Sequence, residues 1–67
     1  MRGVLTRRER CVFELLINNH DTKDISKILN ISNKTVRNHI SNVIQKLGVS
    51  SRVCAVIELI KLGELVI

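Results

Sequence analysis

Proline is absent from these 67 residues, Phe13 is the only aromatic, and glycine occurs three times. With no proline, and no alternating apolar run bounded by turns, the chain has no reason to form a sheet and little to interrupt helices. The lone phenylalanine falls in an apolar core pattern, so no aromatic platform remains on which unpaired RNA bases could stack. Apolar runs stay well short of the ~18–20 residues of a membrane span, and the basic start at Arg2 lacks the apolar segment of a signal peptide. A soluble, cytoplasmic protein is expected. Cys11 and Cys54 sit inside helical apolar patterns without metal or redox spacing, and read as small hydrophobes rather than a disulfide or zinc site. No acid or nucleophile stands at a useful helical spacing from His39, His20 lies in a loop, and no glycine-rich phosphate cradle occurs. An enzyme is therefore rejected: no catalytic residue, metal, cofactor or small-molecule ligand is expected.

Acidic residues are missing where a helix would ordinarily carry them. From Ile31 to Gly48, apolar Val36, Ile40, Val43, Ile44 and Leu47 recur at steps of three and four, so they share one helical face. The opposite face carries Lys34, Thr35, Arg37, Asn38, Ser41, Asn42 and Gln45, with no acid at all. A solvated helix usually mixes signs and gains from Glu to Lys pairs four residues apart. Their absence points to a polyanionic partner. Ser32 is a suitable N-cap and Gly48 a suitable left-handed stop, which predicts a helix over about 33–47.

The flanking segments complete an all-α, four-helix arrangement in one domain spanning 1–67, near the lower size limit for folding without help from a disulfide, a metal or a partner subunit. Thr6 with Glu9 three residues on forms a capping box, opening a first helix that runs to about Asn18. Its main apolar stripe is expected to be Cys11, Val12, Leu15 and Leu16, with Phe13 and Ile17 at the margin. Asp21 or Thr22 caps a short second helix, roughly 23–29, with Ile25, Ile28 and Leu29 pointing inward, and 30–32 turns the chain into the third. A short helix, a tight turn and a longer helix with a polar basic face make a helix-turn-helix. Ser50 or Ser51 caps a fourth helix, about 52–62, ended by Gly63. More than half its circumference is apolar, beyond the stripe of ~100° that a surface helix needs. The side bearing Val53, Ile57 and Ile60, with Cys54 and Lys61 beside it, is thus a candidate interface for a second copy of the chain, the alternative being closure over the first helix and the apolar tail.

Formal charge follows the same division. Residues 22–52 hold Lys23, Lys27, Lys34, Arg37, Lys46 and Arg52 against Asp24 alone, so the whole formal excess of +5 lies around the central helix. Localised positive charge suits nucleic acid, where phosphate neutralisation and counterion release drive association. Arg37 has a fork matched to O6 and N7 of guanine, and Asn38 an amide matched to adenine N6 and N7, with Ser41 one turn along. These three are the base-reading candidates. Thr22, Lys23, Ser32, Lys34, Thr35, His39, Lys46 and Arg52 are the phosphate-binding candidates, for His39 alongside a structural role at the edge of the buried face. The expected partners are duplex DNA in the major groove and a second copy of the chain. A rival reading is a helical module that touches RNA polymerase without reading DNA. A membrane-active cationic helix is disfavoured, because caps and turns interleave the basic residues.

The stretches 5–10 (LTRRER), 35–42 (TVRNHISN), 45–49 (QKLGV), Arg52, Ala55-Val56 and Gly63-Glu64-Leu65 together resemble the LuxR/GerE family of four-helix DNA-binding domains. The similarity covers nearly the whole chain. It implies a transcription factor, activator or repressor, that dimerises through its last helix and inserts the third into the major groove. The resemblance is strongest to the family's stand-alone sporulation regulators, which implies late mother-cell genes of the spore coat as targets. Two departures are visible. Ser26-Lys27 stands where the family commonly has alanine at the first position, and Val53-Cys54 makes the expected dimer face more apolar than usual. No receiver or ligand-sensing domain precedes the helix-turn-helix, so control through the protein's abundance is expected.

Overall fold

A computed structural model describes residues 4–66; Arg2, named above in the signal-peptide reading, lies outside the described residues. Four helices follow one another: α1 (Arg7–Ile17), α2 (Thr22–Leu29), α3 (Asn33–Leu47) and α4 (Arg52–Lys61). The all-α expectation is met. Each start is fixed by a side chain that takes up a free amide of the first turn. Thr6 Oγ1 accepts from the Glu9 amide (3.1 Å) while the Glu9 carboxylate accepts from the Thr6 amide (2.9 Å). Asp21 and Asp24 repeat that box on α2. Ser32 caps α3 through the Thr35 amide (3.0 Å), and Ser51, not Ser50, caps α4 through the Cys54 amide (3.3 Å).

Helix ends rely on left-handed residues. Asn30 (φ 57°) closes α2 and Gly48 (φ 67°) closes α3. A side chain at Gly48 would meet nothing within 4 Å, so backbone conformation, not space, favours glycine there. α4 ends one residue before the expected limit, with Leu62 as its cap. The chain then reverses, burying Glu64 and Leu65 and leaving Val66 84% exposed.

α3 is the hub, packing on α1, α2 and α4. Val12, Phe13, Ile25, Val36, Val43 and Leu59 are completely buried, with Leu5, Ile40, Ala55 and Leu65 completing the core. Three expectations fail. Phe13 is central, not marginal, and Cys11 is only half-buried. The reason is the phase of α1, whose buried side is formed by positions 9, 12 and 13, with Glu9 facing a cation on α3. Ile28 is 53% exposed, since α2 directs Ile25 into the core and leaves Ile28 at the mouth of a groove shared with Cys11, Leu15 and Leu29.

Candidate nucleic-acid interface

With Val36, Ile40 and Val43 anchored beneath it, α3 holds its other side in solvent. Lys34, Arg37, Asn38, Ser41, Asn42 and Gln45 are all exposed, whereas Thr35 and His39 are half-buried at the two borders. At 100° per residue, Lys34, Arg37, Asn38 and Ser41 fall within about 100° of arc, so their polar ends can enter one groove together. The candidates Arg37, Asn38 and Ser41 therefore share one accessible surface.

Helix starts differ in what they offer an anion. The first turn of α2 is flanked by the carboxylates of Asp21 and Asp24, and Asp24 lies 3.7 Å from His20 Nδ1. The candidates Thr22, half-buried, and Lys23, exposed, thus stand beside two negative charges. The first turn of α3 has no acid. Its cap is made only of hydroxyls, Ser32 Oγ and Thr35 Oγ1 lying 2.9 Å apart, so the positive end of the helix dipole is unopposed.

Lys46 occupies a different setting from the other candidate cations. Its ammonium donates to the Glu9 carboxylate and to the Val4 carbonyl (3.0 Å), tying the last turn of α3 to the start of α1. Burial would raise the Glu9 pKa, but the Lys46 ammonium and the Thr6 amide outweigh it and hold the carboxyl below its ordinary value. The phosphate role expected of Lys46 is thereby in competition with a structural one inside the fold. A second pair links Arg10 to Glu64: one guanidinium nitrogen donates to the Glu64 carbonyl and the other to its carboxylate (2.7 Å). Neither pair follows from the sequence pattern. They join residues 37 and 54 positions apart, and no local pattern signals such a contact.

Arg52 is exposed in the first turn of α4 and lines an apolar groove of about 260 Å³ with Leu16, Ile17, Val53, Val56 and Ile57. Of the expected interface residues, Val53 is 65% and Ile57 49% exposed; Cys54 and Lys61 also face solvent, while Ile60 is half-buried against the core. Hydrogen bonds with Ser51 and then Ser50 hold the Cys54 thiol below its ordinary pKa.

No helix among the described residues is long and apolar enough to cross a membrane. The family description "Bacterial regulatory proteins, luxR family" matches residues 3–59. The spore germination protein GerE of Bacillus subtilis is 61% identical over 64 residues, covering 96% of this chain and 86% of that protein. The transcriptional regulatory protein DegU of Brevibacillus brevis is 47% identical over 60 residues, and there this chain spans 25% of the longer relative. A solved structure of the transcription factor GerE superposes with a TM-score of 0.94 at 63% identity, covering 97% of both chains. With the helix order, the exposed face of α3 and these likenesses together, the chain belongs to the luxR family of bacterial regulatory proteins, DNA-binding transcription regulators and not enzymes.

Proposed function

We propose that the chain reads promoter DNA sequence-specifically as a two-fold dimer, each α3 lying in a major groove and the two α4 helices pairing at the symmetry axis. The observation that carries this reading is the acid-free, solvent-facing side of α3. Arg37 is assigned to guanine and Asn38 to adenine, with Ser41 in the same groove. Lys34, Thr35, Ser32 and the first amides of α3 set register on phosphates, His39 borders them, and Thr22, Lys23 and Arg52 grip the flanking backbone. Val53, Cys54, Ile57, Ile60 and Lys61 form the dimer surface, supported by the exposure of Val53 and Ile57.

The likeness to GerE extends the reading to late sporulation and spore-coat genes, activated or repressed in the cytoplasm of the mother cell, with RNA polymerase as a further partner in activation. Selection of bound fragments from a random duplex library is the test. A pseudo-palindrome with half-sites roughly one helical turn, about 10 base pairs, apart is expected. Recovery of an isolated half-site or of no motif would refute the dimer or the sequence-reading respectively.

A further inference from the structure

Two neighbouring residues of α1 reach in different directions to opposite charges. Glu9, 3% exposed, holds Lys46 in the last turn of α3, and Arg10 holds both the carbonyl and the carboxylate of Glu64, just past the end of α4. Glu64 is itself fastened to α4. Its amide donates to the Leu59 carbonyl at 2.8 Å, and the Leu65 amide donates to the same oxygen at 3.3 Å. A grip on Glu64 is therefore a grip on the end of α4.

The three helices form a triangle. α3 packs directly on both α1 and α4. Along the third side, α1 and α4 leave the open groove lined by Leu16, Ile17, Val53, Val56 and Ile57 at one end, while the Arg10 pair joins them at the other. α1 and α4 also share the buried core, and the ion pair adds a directed link between them at the end of α4. The chemistry of the pairs agrees. Each joins a nearly buried carboxylate to a cation that remains more than a third exposed. Burying a carboxylate costs desolvation, and well-packed apolar residues would often serve stability as well or better. What the charged pairs add is direction: two fixed oxygens for a planar fork, and one carboxylate shared between a cap and an ammonium.

We propose that Glu9 and Arg10 are positioning residues that fix the angle between α3 and α4, through Lys46 and Glu64, and thereby set the half-site spacing accepted by the dimer. This rests on the dimeric reading above. α3 finds the half-site and α4 joins the two copies, so the angle between them converts into a distance along the duplex. Loosening either clamp broadens the accepted spacing without altering the base preference within a half-site.

The test is a series of duplexes with two identical half-sites whose separation is changed one base pair at a time, bound by the wild type and by Glu9→Gln, Arg10→Gln and Glu64→Gln. Expected is a fall of about five-fold in discrimination against a one-base-pair change, the size of a typical coupling between contacting residues. A ratio between spacings cancels any uniform change in affinity. An unchanged spacing optimum in folded variants, with only a lower melting temperature, overturns the proposal and leaves the pairs as plain stabilisers. If the neutral variants do not fold, Arg10→Lys retains the charge while losing the two-pronged grip; undiminished discrimination in that folded protein also overturns it. A wild type with no spacing preference at all would instead refute the dimeric reading.

Discussion

On α3 the boundary between inside and outside follows polarity: Val36, Ile40 and Val43 are buried, while Lys34, Arg37, Asn38 and Ser41 are exposed. On α4 it does not. Ala55 and Leu59 are buried, yet Val53 and Ile57, as apolar as their neighbours, face solvent. Both helices bury one side in the same small core, so the core cannot explain the difference between their outer sides. A polar, cationic exterior is matched to phosphates and base edges, which are themselves polar. An apolar exterior gains only by leaving water, which requires another apolar surface. The two helices are thus complementary to different partners.

The largest effects should separate inner from outer on α4. Leu59→Ala removes a completely buried side chain, and a loss of about 2–5 kcal/mol in urea unfolding is expected. A chain of this length has about 3–10 kcal/mol in total, so that loss is a large fraction of its stability. Ile57→Ser, at a half-exposed position, should change monomer stability by about 1 kcal/mol, well below the Leu59 effect. Sedimentation and operator titration should nevertheless show weaker dimerisation and weaker binding to paired half-sites. Equal destabilisation by the two substitutions would erase the distinction drawn for α4.

The α3 exterior is probed next by Arg37→Ala. Loss of about 1–3 kcal/mol of discrimination at a single base position, with other positions unchanged, is the expected result in competition binding. Equal loss on specific and random duplexes would reassign Arg37 from a base to a phosphate.

A smaller effect concerns the clamp beneath both faces. The Glu9 carboxyl has a folded pKa below its ordinary 4.5, so its contribution to stability is complete above that value and is lost as pH falls through the lower folded value. Lys46 is more than a third exposed, which screens the pair and limits the loss to about 1 kcal/mol. Comparing acid unfolding of the wild type and Glu9→Gln checks this: the difference between the two should shrink below pH 4.5 and be flat above it.

Much of this architecture was legible because it is local. Thr6 with Glu9, Ser32 with Thr35, and the left-handed Gly48 are fixed by residues within four positions of one another. The apolar and polar sides of α3 likewise follow from helical period alone. What escaped depended on distant partners. Periodicity on α1 admitted more than one phase, and the packing of α1 against the other helices put Phe13 in the centre, with Glu9 facing Lys46. Ile28 satisfied the spacing of an inward residue, but α2 turns Ile25 into the core and leaves Ile28 half in solvent beside Cys11, Leu15 and Leu29. Lys46 carries the same charge as Lys34, and nothing within its own helix reveals that a carboxylate 37 residues earlier holds it.

Those two lysines provide the finest comparison, since they lie on one helix and differ only in what surrounds them. Lys34 stands in the acid-free first turn, where its ammonium is available to a phosphate; Lys46 donates to a carboxylate and a carbonyl of its own chain. Each cation that neutralises a phosphate contributes about 0.9 to the slope of log affinity against log salt. Lys34→Ala should therefore lower that slope by about 0.9 per subunit and weaken all sequences alike. Lys46→Ala should leave the slope nearly unchanged while lowering the melting temperature, because the charge removed was already balanced by Glu9. A matching fall in slope for both variants would mean that Lys46 exchanges Glu9 for a phosphate on binding, and that the contact with α1 opens on the duplex.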